Sequence, residues 1–228
     1  MQSRKFIATT INEYLNEKYT KTNLKAIKDF YPEYYEDAEN KTEIVGWSSK
    51  NEQYKRFKVL LNVGFKNGDT VLDFGCGLGE LYKYMIDRYD DFKYIGVDIN
   101  DEFIQKCKKT YPKITFETIK DITDVKHSYD WFISSGAFTI YTPIENMMET
   151  IKNAFKQARY GVSVDFLEST YAKNSDLEAI RGYDKEELYE SFLQEFEEFH
   201  DVKLIDNYLK NDFTICIRKL DYILSFIK

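Results

Sequence analysis

The 228-residue chain has little histidine, with two, and little cysteine, with three. His127 and His200 are too few for a rich metal site, and each lies in a polar stretch near the end of an element, as a solvated imidazole would. Cys76, Cys107 and Cys216 form an odd set without paired metal-ligand spacing, so no metal is expected. They suit small buried positions in a glycine loop, a helix and a strand, and no electropositive, accessible surroundings mark any of them as a reactive thiol. No leader peptide and no apolar run of membrane-spanning length is read, which makes a reducing cytoplasm the expected setting. Positive charge is also in deficit. Lys and Arg number 32 against 39 Asp and Glu, the net charge is −7 and the isoelectric point is about 5.1. Long-range electrostatics therefore disfavour nucleic acid, whose binding depends on neutralising phosphates.

What is present is a core: 43% apolar and 17% aromatic residues exclude a disordered chain and suffice for one large domain. The most informative stretch is Val71-Leu72-Asp73-Phe74-Gly75-Cys76-Gly77-Leu78-Gly79-Glu80. It follows the turn signal Gly68-Asp69 and precedes Leu81, Tyr84 and Met85 at helical spacing, so it reads as a buried strand, a glycine turn and a helix. Such a turn bends sharply, carries no side chains to block a ligand and brings a helix N-terminus close. In the dinucleotide fingerprint two residues separate the second and third glycines, but here only Leu78 does, and Asp73 stands at the strand's end. A carboxylate there repels phosphate and favours a cationic group. The next strand, Tyr94 to Ile99, carries Asp98 about 20 residues past the loop, where an acid grips ribose hydroxyls. A nucleoside bearing an ammonium or sulfonium and no phosphate fits both acids.

Period-2 runs near 70–74, 93–98, 113–118, 129–134, 160–166, 202–208 and 212–219 alternate with helical stretches near 79–89, 101–110, 144–158 and 184–199. The order predicts an α/β fold, a parallel sheet covered by helices. The last two runs, parted by Leu209 to Asn211, read as an antiparallel hairpin. The first 65 residues are less regular: Phe6 to Tyr19 and Thr22 to Phe30 have helical spacing, Tyr31 to Tyr35 is an aromatic, acidic connector, and Lys50 to Val63 is a helix with Ser48 or Ser49 as its cap. The Glu-rich stretch Asp184 to Glu198 is a solvated face around Leu188, Phe192 and Phe196.

At these residues the chain resembles the class I S-adenosylmethionine-dependent methyltransferases. Asp73, Gly75, Gly77 and Gly79 match that family's first motif, and Asp98 matches its ribose-binding acid. Lys120-Asp121-Ile122 is similar to the segment whose acid meets the adenine amino group, and Tyr129 to Gly136 looks like the fourth strand and the loop beside the donor methyl. The resemblance covers roughly residues 42–219. It implies a Rossmann-like, doubly wound, mostly parallel seven-stranded sheet ending in an antiparallel hairpin, with residues 66–228 as the S-adenosylmethionine-binding domain and residues 1–65 as a helical extension or lid. It implies S-adenosylmethionine as cofactor, S-adenosylhomocysteine as product, and a donor site of Asp73, Phe74, Gly75, Cys76, Gly77, Gly79, Asp98, Ile99, Asp121, Ile122, Ser134 and Ser135. Trp47, Gln53 and Arg56 join it if the N-terminal segment closes over the donor, with Arg56 on the donor's carboxylate or on an acidic acceptor. The alternative is a core Trp with a surface Gln and Arg.

In-line methyl transfer needs placement, exclusion of water and, for an oxygen or nitrogen acceptor, a base. Tyr141 and His127 are the candidates for that base. The loop Ser134-Ser135-Gly136-Ala137-Phe138 lacks the Asn/Asp-Pro-Pro-aromatic pattern of enzymes that methylate exocyclic amines, and no Pro-Cys nucleophile appears. With the acidic charge, this points to a small-molecule acceptor and away from nucleic acid and membrane. The alternatives are a methyltransferase acting on protein or RNA, and a non-catalytic protein that retains the donor site.

Overall fold

Strand residues alternate between two helical layers, and this alternation places the functional edge of the sheet. The computed structural model describes residues 49–139, 142–169, 181–196 and 200–224. The lid helices expected before residue 49, with Trp47 and Tyr141, lie outside the described residues. The chain runs α1 (Lys50–Leu61), β1 (Thr70–Phe74), α2 (Glu80–Ile86), β2 (Lys93–Asp98), α3 (Asp101–Thr110), β3 (Thr115–Thr118), a 3-10 turn (Ile122–Asp124), β4 (Trp131–Ser134), α4 (Ile144–Gln157), β5 (Gly161–Leu167), α5 (Lys185–Phe196), β6 (His200–Ile205), β7 (Asp212–Lys219) and α6 (Leu220–Leu224).

The seven strands lie in the order β3-β2-β1-β4-β5-β7-β6. The first five in sequence pair in parallel, as in Leu72 with Ile95 and Phe132. β7 then inserts antiparallel between β5 and β6. Central parallel strands are buried on both faces, which is why Val71 and Leu72 are both apolar. Val71 and Ile133 meet Phe57, Leu60 and Leu61 of α1, Leu81 and Met85 of α2 and Ile104 of α3. Leu72, Phe132, Val162 and Val164 meet Met147 and Ile151 of α4 and Leu188 and Phe192 of α5. Both helices on this second face carry their apolar residues at i, i+4 spacing.

The helix α1, expected as part of the extension, packs as one wall of this core. Ser49 caps it by accepting from the Glu52 amide at 3.2 Å. Arg56 fixes its position: Nε and Nη2 donate to Oδ1 and Oδ2 of Asp212, both at 2.9 Å, in a buried fork that joins α1 to the start of β7. The final hairpin differs from the expected ranges, since β6 spans His200–Ile205 rather than 202–208. Asp206 is drawn to Lys185 Nζ at 2.6 Å, and the Tyr208 hydroxyl meets Thr214 Oγ1 at 2.8 Å, so the chain leaves the ladder after Ile205. His200 is half-buried rather than solvated, its ring edge-on to Phe155 at 4.6 Å, and burial lowers its pKa.

Two variants test this packing. A Cβ at Gly161 would run into the Ile217 carbonyl oxygen across the β5–β7 ladder and lie 3.0 Å from the Trp131 ring. Gly161→Ala should therefore lower stability by about 1–3 kcal/mol, seen as a lower urea midpoint with unchanged slope. Arg56→Met should cost about 3–5 kcal/mol by stranding the buried Asp212 carboxylate, and the double variant Arg56→Met, Asp212→Leu should recover most of that loss in the same assay.

Candidate functional site

β1 has β2 on one side and β4 on the other, so the chain reverses its winding at β1 and opens a crevice beyond the carboxyl ends of these strands. The glycine turn fills its floor. Gly75, Gly77 and Gly79 have φ of 76°, 52° and 77°, a left-handed backbone that a side chain strains. The amides of Gly75 and Cys76 both donate to the Val97 carbonyl, at 2.8 and 3.0 Å, and bind the turn to β2. A Cβ at Gly75 would lie 2.6 Å from the Ala137 Cβ, because the loop after β4 presses directly on the turn.

Among the described residues, the carboxyl groups of Asp73, Asp98 and Asp165 are buried around this crevice, at 3%, 9% and 2% exposure. Tyr94 donates its hydroxyl to Asp73 Oδ2. Asp98 Oδ2 accepts from the Gly77 amide at 2.9 Å, and its Oδ1 accepts from the Asn100 amide at 2.8 Å. Asp165 holds the loop after β4, with Oδ2 accepting from Ser135 Oγ at 2.8 Å and Oδ1 from the Gly136 amide at 2.7 Å. Burial raises the pKa of Asp73 to about 7; the Tyr94 hydrogen bond opposes this, and the charges of Asp98 and Asp165 add to it. Burial likewise raises Asp165 to about 6, against the pull of Arg56, and Asp212 adds to the rise. Among the described residues the site is short of positive charge, and a cation entering it would favour ionisation of both acids.

The other expected residues are placed as follows. Phe74 stacks on Phe138 at 5.6 Å, and Ser134 Oγ donates to the Phe74 carbonyl at 3.1 Å. Cys76 is buried against the turn, and burial holds its thiol well above the usual range. Ile99 is half-buried beside Asp98, and Ile122 is fully buried. Asp121 caps the 3-10 turn: its Oδ1 accepts from the Thr123 amide at 2.8 Å and from Thr123 Oγ1 at 2.7 Å. Gln53 is buried on the sheet-facing side of α1, one turn before Arg56, with its amide oxygen lacking a hydrogen-bond partner. Arg56 is committed to Asp212. His127 is exposed and bonded to Glu117 at 2.8 Å, with no described contact to the three buried acids.

Asp165 and Tyr94 were not singled out from the sequence. The available signal for Asp165 was an acid inside the apolar run Gly161-Val162-Ser163-Val164-Asp165-Phe166-Leu167, where a charge is retained only with partners. Tyr94 gave no signal apart from the register that sets it near Asp73.

Residues 71–161 match the family model described as a methyltransferase domain. Over 116 residues the chain is 33% identical to "Putative methyltransferase 235L" of Invertebrate iridescent virus 6, covering 45% of this chain and 43% of that protein. Over 100 residues it is 25% identical to a malonyl-[acyl-carrier protein] O-methyltransferase of Acetivibrio thermocellus, covering 42% of this chain and 35% of that protein. The chain thus spans less than half the length of these curated relatives. In fold it is similar to the magnesium protoporphyrin IX methyltransferase of Synechocystis PCC 6803, solved with S-adenosylhomocysteine, at TM-score 0.61 and 13% identity over 86% of this chain and 99% of that one. The domain match over residues 71–161 and the seven-stranded topology show that this chain carries a methyltransferase-like domain with the Rossmann-like fold of these S-adenosylmethionine-dependent enzymes.

Proposed function

We propose that this protein transfers a methyl group from S-adenosylmethionine to an oxygen or nitrogen of a small-molecule acceptor. The observation that carries the reading is the cluster of Asp73, Asp98 and Asp165 around a glycine turn with no room for a side chain at Gly75. These residues fit the donor on chemical grounds. It is a nucleoside with a sulfonium and an ammonium, and it brings the positive charge that the buried acids lack. Asp73 would face its ammonium, Asp98 its ribose hydroxyls and Asp121 its adenine amino group, while the turn lets the backbone approach. When bound, the donor supplies a methyl group already activated by the charge on sulfur.

The chain's own residues then position the acceptor, exclude water and take up a proton. Asp165 is the proton acceptor we assign, because its pKa of about 6 leaves it ionised at neutral pH and Ser135 and Gly136 fix its orientation. The net charge of −7 and the acid-rich crevice support a small molecule over a phosphate polymer. An O-methyltransferase among the sequence relatives supports an oxygen acceptor.

Calorimetry with S-adenosylmethionine and S-adenosylhomocysteine tests the donor site directly. Asp98→Ala should weaken both by at least about tenfold, since a hydrogen bond to a charged group contributes about 1.5–3 kcal/mol; absence of binding by the wild type refutes the reading. Affinity should also depend on pH. The cation prefers ionised Asp73 and Asp165, so binding weakens as pH falls below about 7 and then about 6. Stability of the ligand-free protein changes in the opposite sense. Both folded pKa values lie above the unfolded value of 3.8, so the folded state binds more protons between pH 4 and 7 and loses stability as pH rises through that window. Asp73→Asn should flatten this slope in urea denaturation. Asp165→Asn should lower turnover about 10²- to 10⁴-fold, with a smaller effect on S-adenosylhomocysteine affinity.

A further inference from the structure

Gln53 is buried at 2% exposure, and its amide oxygen has no hydrogen-bond partner. Leaving a buried acceptor unpaired is costly, and native folds seldom do so without a use for it. The fork from Arg56 to Asp212 does not involve this oxygen.

The contacts of α1 fix where Gln53 stands along the helix. Arg56 holds Asp212, which pairs with Leu167, the last residue of β5, so this part of α1 lies at the carboxyl edge of the parallel strands. Just past the other end of the helix, the Gly64 carbonyl accepts from the Tyr222 hydroxyl at 2.6 Å. The Tyr222 ring lies edge-on at 4.9 Å to Trp131, the first residue of β4, so that end lies at the amino edge. Gln53 precedes Arg56 by three residues, about 4.5 Å of helix, and therefore stands farther toward the crevice.

Its direction around the helix follows from the same kind of contact. Successive residues turn by about 100°. Tyr54 leans toward α2, with its ring 5.0 Å from Tyr84, and Arg56 reaches the start of β7. Gln53 and Phe57 point between these two directions, and Phe57 belongs to the cluster that contains Val71 of β1 and Ile133 of β4. On this face Asp73 projects beside Val71, because Leu72 between them packs on the opposite face. Asp165 projects the same way, since Val164 and Phe166 pack opposite. β4 lies between the two acids, with Ile133 paired to Asp73 on one side and to Ser163 on the other. Gln53 thus faces the space that Asp73 and Asp165 flank.

The groups there share one property: they accept hydrogen bonds. Tyr94 donates to Asp73 Oδ2, and no described residue donates to its Oδ1. A ligand group that completes both Asp73 and Gln53 must bring several N–H hydrogens and a positive charge. An ammonium does so, whereas a carboxylate or phosphate would be repelled.

We propose that Gln53 is a ligand-binding residue whose amide oxygen, together with Asp73, receives the ammonium of the amino-acid part of S-adenosylmethionine. The identity of the ligand rests on the methyl-transfer reading. Gln53 selects for the amino group without adding another negative charge beside Asp73 and Asp165. Its unpaired oxygen is the cost of that selection in the ligand-free protein.

Calorimetry on the full chain tests this with S-adenosylhomocysteine, its desamino analogue and 5′-methylthioadenosine, which lacks the amino-acid part. Gln53→Met keeps the length of the side chain but removes its oxygen. It should weaken S-adenosylhomocysteine at least about tenfold and leave the other two ligands within about twofold. The urea midpoint of the ligand-free variant should stay or rise, because no bond is lost. Gln53→Glu, which restores an oxygen acceptor, should recover the preference for S-adenosylhomocysteine over the desamino analogue, and it decides the matter if Gln53→Met fails to fold. Unchanged S-adenosylhomocysteine affinity in Gln53→Met overturns the inference. Equal losses for all three ligands, or a lowered urea midpoint, also overturn it and make Gln53 a structural residue. A loss shared by the desamino analogue but not by 5′-methylthioadenosine overturns it too, since the amide then meets the ligand's carboxylate. A wild type that binds S-adenosylhomocysteine without preferring it to the desamino analogue sinks this inference alone, whereas a wild type that binds none of the three refutes the S-adenosylmethionine reading itself.

Discussion

The constraint on which the site depends is a surplus of buried carboxyl groups at one edge of the sheet. Asp73, Asp98, Asp165 and Asp212 all lie there, and Arg56 is the buried cation facing them from α1. Desolvation opposes their ionisation, so each needs a donor supplied by the fold. Those donors determine local geometry. The Gly77 amide reaches Asp98 because the turn is left-handed at that residue. The Gly136 amide reaches Asp165 because the loop after β4 doubles back over the turn. The Arg56 fork reaches Asp212 because α1 packs against β4, β5 and β7. The acids thereby organise three separate segments around one crevice.

The local part of this arrangement was legible in the sequence. The glycine turn, Asp73 and Asp98 depend on spacing within one strand-turn-helix-strand unit, and the strand and helix ranges follow from periods of two and 3.6 residues. The parts that were not legible depend on partners far apart in the chain. Arg56 and Asp212 are separated by 156 positions, so Arg56 looked available for a ligand when it is engaged inside the protein. Asp165 meets Ser135 and Gly136 across 30 and 29 positions, through a pairing that only the strand order specifies. His200 looked polar because its neighbours in sequence are polar, yet its ring packs on Phe155 from another element. The end of β6 was misplaced for a related reason. Lys185, on α5, draws Asp206 out of the ladder, and nothing in the hairpin's own sequence reveals that contact.

Gln53, Arg181 and His200 differ from most buried polar residues of this fold. Each has a buried polar atom with no partner, whereas Asp69, Asp98, Asp130 and Asp165 are satisfied by backbone or side-chain donors. Native proteins pair most buried polar groups, so unpaired ones concentrate attention on ligand contact. Gln53 and Arg181 are complementary in kind. The Gln53 oxygen accepts a hydrogen bond and lies on the α1 side with the acids, while the Arg181 nitrogen donates and lies on the α4 side.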